Sequence, residues 1–173
     1  MNFITRKAVE SDLPYIKEMY KTITEKMNSE GIRIWYDGFP YPVICERVPR
    51  GEFYVLTDDS GIIAGFSVSE KHEHESAVVW HVSGKPVYFG LFGVRTDMTR
   101  KGVGSIALRE AAKLAKKQGG ACLRLFAVDI NTPAVRLYEK NGFVKADGIL
   151  VEDIGECGIA HEYGFELDLS GNT

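Results

Sequence analysis

The stretch that decides the fold is Val94-Arg-Thr-Asp-Met-Thr-Arg-Lys-Gly-Val-Gly-Ser105, which joins an apolar run to a helical pattern. The run before it, Pro86–Val94, is nearly continuous and is typical of a buried strand. The residues after it, Gly104–Lys117, have helical spacing. Amides at a helix N-terminus favour negative charge, and glycines let an anion approach the backbone. Because Arg100 and Lys101 add positive charge, this stretch predicts a site for a phosphate-bearing ligand.

Two known kinds of phosphate loop can be compared with this stretch. A Walker A loop needs Ser or Thr after Gly-Lys, whereas the chain's only such pair, Gly84-Lys85, precedes a proline. The dinucleotide fingerprint fits better, since Gly102-Val-Gly104-Ser-Ile-Ala107 has its pattern and Asp129 ends the next predicted strand. However, the seven residues Arg95–Lys101 separate the strand from the first glycine, where that fingerprint needs a tight turn. A dinucleotide-binding protein is therefore a remote alternative.

The rest of the chain predicts an α/β (α+β) protein built around one mixed sheet. Strand 86–94, helix 104–117 and strand 121–128 form a unit that makes part of the sheet parallel. An Asp- and Gly-rich turn at 58–61 indicates antiparallel pairing elsewhere. The other predicted strands are 2–8, 53–57, 62–70, 76–82, 143–150 and 161–169, and the other predicted helices are 12–31, 43–48 and 132–141. We expect a single domain over residues 1–173.

Composition excludes several classes of protein. The chain has 173 residues, 45% hydrophobic and 26% charged, which is ordinary for a globular protein. No apolar run reaches the ~20 residues of a membrane span, so we expect no membrane association. The net charge of −3 argues against a nucleic-acid binder. Residues 94–118 nevertheless carry seven lysines and arginines against two carboxylates, about +5, which leaves about −8 for the remainder. That division suits a phosphate-bearing ligand and a cationic second ligand.

The three cysteines and the paired histidines predict neither disulfides nor a metal centre. Cys45, Cys122 and Cys157 are odd in number and lack Cys-x-x-Cys spacing, so they form neither a disulfide framework nor a zinc knuckle. We expect free thiols in a cytoplasmic protein. His72-Glu73-His74 would place two imidazoles on one face of a strand, but two ligands make a poor metal site. The prediction is therefore no metal.

A second motif lies downstream, Asn131-Thr-Pro-Ala-Val-Arg-Leu-Tyr-Glu-Lys-Asn-Gly-Phe143. Together with Thr99-Arg-Lys-Gly-Val-Gly104 it resembles the GNAT superfamily of acetyl-CoA-dependent N-acetyltransferases. The family writes these motifs as N-x-x-A-x-x-L/F-Y-x-K-x-G-F and Q/R-x-x-G-x-G/A, and only Thr99 departs from them. The resemblance is tight over residues 86–150. Over the first 85 residues it depends on the order of the predicted elements.

The resemblance implies where acetyl-CoA binds. The GNAT fold has a sheet of about six to seven strands that is splayed here between strands 87–94 and 121–128. The pantetheine arm would pair with the backbone of Phe92, Gly93 and Val94, and the Phe92 amide would point at the thioester oxygen. The pyrophosphate would bind to Thr99, Arg100, Lys101, Gly102, Val103, Gly104 and Ser105. Asn131 would fix the pantetheine chain or the next helix, and Ala134 would leave room for the cofactor.

The resemblance also implies that Tyr138 is the general acid that protonates the departing thiolate, since a phenol of pKa ~10 can do so at neutral pH. The general base is open. Some relatives place a glutamate where this chain has Tyr88 or Leu91, and strand 87–94 contains no carboxylate. The candidates are a water held by Tyr88, the side chains of His81, Glu70 or Glu162, and an acceptor that arrives already neutral.

The function that these motifs predict is transfer of an acetyl group from acetyl-CoA to a primary amine in a ternary complex. The loop after the first helix overhangs the acceptor pocket in GNAT folds, so Trp35, Tyr36 and Phe39 are candidate lining residues. The acceptor is a small molecule or a protein amine. A catalytically silent acyl-CoA-binding or sensor module is the alternative, favoured by the missing strand carboxylate. The resemblance also allows a homodimer.

Overall fold

Eight strands and four α-helices occur in residues 2–36 and 38–171, the part of the chain that the computed structural model describes. The strands are β1 (Ile4–Lys7), β2 (Phe53–Asp58), β3 (Gly61–Ser69), β4 (Pro86–Val94), β5 (Cys122–Val128), β6 (Val144–Lys145), β7 (Leu150–Asp153) and β8 (Ile159–Asp168). The helices are α1 (Leu13–Ser29), α2 (Tyr41–Arg47), α3 (Val103–Lys117) and α4 (Thr132–Lys140). None of these helices is both long and apolar enough to cross a membrane.

The strands form one mixed sheet in the order β1-β2-β3-β4-β5-β8-β6, with β7 pairing on β8. β4 and β5 run parallel, as the helix between them predicts. The pairs β1–β2, β2–β3, β5–β8, β6–β8 and β7–β8 are antiparallel. The predicted fold class and the mixed sheet are therefore confirmed, although the expected count of six to seven strands is too low.

Two of the predicted strands differ in the structure. Residues 76–82 contain a short 3-10 turn at Glu75–Ala77 and one isolated bridge, between Val79 and Asp147. Residues 143–150 form the two-residue β6 and the first residue of β7 instead of one strand. Val79, the residue of the isolated bridge, is 64% exposed, and Gly148, at a φ of +96°, interrupts the extended backbone between β6 and β7.

The chain forms two compact units, of which the first comprises Met1–Ser67 and Leu91–Ala107. Side chains alternate between the two faces of a strand, so Val55 and Leu56 of β2 enter different clusters. Val55 packs in a cluster with α1 and α2 residues such as Ile16 and Ile44. Leu56 packs in a cluster that includes Val103, at the start of α3. Both faces of this part of the sheet are therefore covered.

The second unit comprises Val68–Gly90 and Leu108–Thr173. All of β5 pairs with β8, from Cys122↔Asp168 to Val128↔Glu162. Leu123, Leu125 and Phe165 on these two strands are buried. The three cysteines of the chain are free, as predicted. A single domain over residues 1–173 stays a prediction.

Candidate functional site

β4 is irregular in the half that follows its pairing with β5. The register between the two strands covers Pro86–Tyr88 of β4, although both strands continue beyond it. Leu91 has a φ of +49°, in the left-handed region that residues with a side chain rarely adopt. Phe92, Gly93 and Val94, the residues predicted to meet the pantetheine arm, follow this irregularity directly.

The loop between β4 and α3 passes twice through left-handed backbone, at Arg100 (φ +63°) and Gly102 (φ +81°). The Ile106 amide donates to the Gly102 carbonyl at 3.1 Å, where the hydrogen-bond ladder of α3 begins. Arg100, Lys101 and Gly102 are exposed. Two cations therefore flank the N-terminus of a 15-residue helix, which is the arrangement that binds an anion. The residues predicted to bind the pyrophosphate, 99–105, form the end of this loop and the start of α3.

Thr99, which departs from the family motif, has a cation beside it. Lys26 Nζ on α1 donates to Thr99 Oγ1 at 3.4 Å, and Thr99 Oγ1 donates to the Thr96 carbonyl at 2.9 Å. A lysine of α1 therefore places a cation next to the position where the motif has glutamine or arginine. Sequence reasoning missed Lys26, because its contact with the loop spans 73 positions of the chain.

The second motif forms α4 and its cap. Asn131 Oδ1 accepts a hydrogen bond from the Ala134 amide at 3.4 Å, so Asn131 caps the helix. Ala134 and Tyr138 lie four residues apart and share one face of the helix. Tyr138 is 6% exposed, and its ring centroid lies 5.8 Å from that of Phe143 and 5.9 Å from that of Phe165. Burial raises the pKa of Tyr138 above its ordinary value, so the phenol stays protonated at neutral pH.

Tyr88 lies in a cluster of rings beside a carboxylate. Its hydroxyl donates to Glu75 Oε2 at 3.0 Å, and burial raises its pKa to about 12. The His72 ring lies 5.5 Å from the Tyr88 ring and 4.8 Å from the Phe126 ring. Because its pKa is raised, the Tyr88 phenol keeps its proton at neutral pH and donates it to the Glu75 carboxylate.

Two of the other predicted base candidates are held in ion pairs. The exposed Glu70 carboxylate lies 2.7 Å from Lys85 Nζ, and this contact lowers the pKa of Glu70. His81 Nε2 lies 3.0 Å from Asp147 Oδ2, which raises the pKa of His81. A carboxylate with a lowered pKa is a weak base, and an imidazole beside a carboxylate is favoured in its protonated form. Both environments disfavour proton abstraction.

Glu162 is the candidate whose surroundings favour a base. It is half-buried on β8, and burial together with a hydrogen bond to Glu152 raises its pKa to about 7. The two side chains share one face, because Glu162 pairs with Leu150 and Glu152 pairs with Ala160 across the β7–β8 ladder. Sequence reasoning named Glu162 and missed Glu152, since the pairing that joins them has no signature in either segment alone.

His74 extends this acidic group. Its Nε2 lies 3.4 Å from Glu152 Oε1 and 3.6 Å from Glu73 Oε1, and these three side chains could hold a metal ion. The other histidine of the predicted pair, His72, accepts a hydrogen bond from the His74 amide at Nδ1, at 3.2 Å. The absence of a metal stays a prediction.

The three aromatic residues proposed for the acceptor pocket lie in different surroundings. The Trp35 ring lies 5.6 Å from the Tyr20 ring and packs against the cluster of α1 and α2. Tyr36 is half-buried. Phe39 is 37% exposed and lines a cavity of about 630 Å³ beside α1. The other lining residues include Pro14, Lys17, Lys21, Tyr41 and Pro42. Trp35 therefore packs within the protein, and Phe39 lies at the surface of the cavity.

The family model of the acetyltransferase (GNAT) family matches residues 15–143, and the chain belongs to this family. A comparison with curated protein sequences finds no match.

Solved structures of the same family share the fold. A GNAT-family acetyltransferase from Streptococcus agalactiae is 18% identical, with 96% of each chain covered and a TM-score of 0.79. YncA from Salmonella typhimurium, solved with its cofactor acetyl-CoA, is 15% identical over 99% of this chain and 96% of its own, with a TM-score of 0.67. The ribosomal-protein-S18-alanine N-acetyltransferase from Escherichia coli is 18% identical over 99% and 97%, with a TM-score of 0.67. At these identities the likeness concerns the fold.

Proposed function

We propose that this protein transfers the acetyl group of acetyl-CoA directly to a primary amine in a ternary complex. The observation that carries the proposal is the exposed basic turn at the start of α3, in a chain of the GNAT family. In the reaction the amine nitrogen bonds to the acetyl carbon and the carbon–sulfur bond breaks. One proton leaves the amine and one proton reaches the thiolate, so the protein needs a base and an acid.

In the proposed complex the protein binds acetyl-CoA more through backbone groups than through side chains. The pyrophosphate would lie on the turn 99–105, where Arg100 and Lys101 supply charge and the helix N-terminus supplies amides. Lys26 adds a third cation beside Thr99. The pantetheine arm would pair with the backbone of 92–94, and the Phe92 amide would stabilise the oxyanion. Asn131 supports this end indirectly, since its side chain caps α4.

Tyr138 is the proposed acid. Its raised pKa keeps the proton on the phenol, but it also makes the phenol a weaker acid than a free thiol of pKa ~8.5. Transfer to the sulfur becomes favourable when the thiolate is itself desolvated, because burial raises the pKa of a thiol as well. The same apolar surroundings would then raise the pKa of both the phenol and the thiol and so favour proton transfer between them.

Glu162 is the proposed base. Its pKa of about 7 leaves it roughly half ionised at neutral pH, and it is more basic than an ordinary glutamate of pKa ~4.3. Glu152 would then share the proton that Glu162 takes up. Tyr88 and Glu75 are the polar groups of a neighbouring cluster in the same unit and would orient the amine or a water.

Replacing Glu162 with glutamine is expected to lower kcat/KM about tenfold at pH 7.5, because general bases contribute roughly 100-fold or more and solvent water supplies part of that role. The wild type should gain activity as the pH rises through about 7, as Glu162 loses its proton. The variant should lack this rise. The measurement is the pH profile of kcat/KM, with Glu70→Gln as the control, since Glu70 is exposed and paired with Lys85.

The stability of the same variant gives an independent check. A carboxyl whose folded pKa is raised loses stability as the pH rises from its unfolded value near 4.3 to its folded value of about 7. Glutamine mimics the protonated form, so Glu162→Gln should raise Tm at pH 8 more than at pH 4. Glu162 is not the base if Glu162→Gln has the same pH profile of kcat/KM as the wild type and if its change in Tm is the same at pH 4 and at pH 8.

The acceptor is proposed to approach from the side of Phe39 and its cavity, which has the size of a small-molecule site. Both small amines and protein amines remain acceptor classes. The solved relative from Escherichia coli is named for an alanine of a ribosomal protein, which makes a peptide N-terminus one of the acceptors to test.

The experiment that tests the function is a panel of amines with acetyl-CoA, with free thiol release as the readout. The panel should include diamines, amino acids, aminoglycosides and short peptides with a free N-terminus. Thiol release that depends on one acceptor class supports the proposal. Tight CoA binding without thiol release from any amine would instead support the silent acyl-CoA-binding module, for which the lack of a carboxylate in 86–94 is the favouring observation.

A further inference from the structure

The hydroxyl of Tyr20 is a buried polar group placed at the irregular point of β4. Tyr20 is 2% exposed on α1, and its hydroxyl lies within hydrogen-bond distance of the Leu91 carbonyl on β4 and of the Gly65 carbonyl on β3, the latter at 2.9 Å. The backbone of Gly93 also hydrogen-bonds to this side chain. One phenol therefore contacts the backbone immediately before and after Phe92.

Two glycines make room for this contact. A Cβ on Gly93 would lie 2.8 Å from Ile23 Cδ1 and 3.1 Å from the Tyr20 ring, and a Cβ on Gly65 would lie 3.2 Å from the Tyr20 hydroxyl. The Tyr20 ring is fixed from its other sides by Trp35, at 5.6 Å between centroids, and by Phe53, at 6.2 Å. The hydroxyl is thus held against the strands by packing.

The Leu91 carbonyl and the Phe92 amide belong to the same peptide unit. A trans peptide is planar, and its C=O and N–H bonds point in opposite directions. The phenol has one hydrogen, and the Leu91 carbonyl is the nearer of its two acceptors. A hydrogen bond from Tyr20 to this carbonyl fixes the direction of the Phe92 N–H, which points away from Tyr20. The φ of +49° at Leu91 is costly for a residue with a side chain, so this peptide orientation needs such a restraint.

We infer that Tyr20 is a positioning residue, which orients the Leu91–Phe92 peptide so that the Phe92 amide faces the thioester oxygen. The inference rests on the proposed function, in which that amide stabilises the oxyanion. The hydrogen bond to the carbonyl also polarises the peptide and makes its N–H a stronger donor. In this role Tyr20 acts through the backbone, and its side chain also lines the cavity beside Phe39.

The test is Tyr20→Phe, which keeps the ring and its packing and removes the hydroxyl. We expect kcat to fall about tenfold, because loss of a whole oxyanion donor costs roughly 100- to 1,000-fold and here the donor is misdirected rather than lost. The dissociation constant of CoA should change less than twofold. A merely structural role would not separate kcat from binding in this way.

The matched control is Ile23→Val, which removes a methyl group that packs at Gly93 and leaves every hydrogen bond in place. Its kcat should stay within twofold of the wild type. An unchanged kcat in Tyr20→Phe, or an equal loss of kcat and CoA affinity, overturns the inference.

Protection of the Phe92 amide from exchange by bound acetyl-CoA separates this inference from the proposed function, because it needs no turnover. Weaker protection in Tyr20→Phe than in Ile23→Val supports the positioning role, even if no amine in the panel is acetylated by the wild type. Equal protection in the two variants overturns it, whatever the activity.

Discussion

Replacing Gly104 with tryptophan is expected to weaken the binding of CoA at least about 100-fold, equivalent to about 2.8 kcal/mol, while the chain still folds. Gly104 is the second residue of α3, in the turn where the exposed Arg100 and Lys101 meet the helix N-terminus. An indole there would fill the space that the pyrophosphate needs and would keep the phosphate oxygens from the backbone amides. The measurement is the dissociation constant of CoA by calorimetry.

The control is Lys113→Trp, which places the same indole on the exposed side of the same helix, where Lys113 pairs with Glu110. CoA affinity should stay within about threefold of the wild type in this variant, since one surface charge is lost. Both variants should melt within a few degrees of the wild type. A Gly104→Trp protein that is folded and binds CoA normally would rule out the turn as the pyrophosphate site.

The elements that border this turn were predictable because their signals are local. Pro86–Val94 is a strand with the bounds that its apolar run predicts, and α3 begins one residue before the predicted Gly104. Glycine at 102 adopts a φ of +81°, a backbone that only glycine adopts without cost. The local preferences of these residues agree with the fold, and where they agree, secondary structure can be predicted from one sequence.

Segment 76–82 shows where the same reasoning fails. Its residues predict a strand, whereas Val79 makes one bridge to Asp147 and is largely exposed. The segment is held by distant groups instead. Glu166, 1% exposed on β8, accepts hydrogen bonds from the amides of His81 and Val82. The backbone N–H groups of this segment find their hydrogen-bond acceptor in a buried carboxylate 84 positions away, and such a contact leaves no periodic pattern in the sequence.

The site shows the same division between local and distant signals. The turn and the α4 motif are each contiguous, so their residues could be named from the sequence. Tyr20, Lys26 and Glu152 could not, because each acts through a partner on another element: Leu91 for Tyr20, Thr99 for Lys26 and Glu162 for Glu152. These contacts depend on strand order and helix docking, which a single sequence does not specify.

Replacing Tyr138 with phenylalanine is expected to lower kcat about 100-fold, the lower end of the range for loss of a positioned acid. The ring packs against Phe143 and Phe165, so phenylalanine keeps these contacts and removes only the hydroxyl. The dissociation constant of CoA should stay within about threefold, because the thiol needs no proton from the protein in the binary complex. The measurements are steady-state kinetics with the acceptor found in the panel and CoA binding by calorimetry.

The control is Tyr163→Phe, which removes a phenol from the same group of rings, at 6.4 Å from Phe165. Its kcat should stay within about twofold of the wild type. A second acetyl thioester, made from a more acidic thiol, gives a sharper criterion because its leaving thiolate needs less protonation. With this thioester the loss of kcat in Tyr138→Phe should become smaller. A packing defect would lower kcat equally with both thioesters. A deficit that is the same for both thioesters, or an unaltered kcat with acetyl-CoA, would show that Tyr138 is only a buried helix residue.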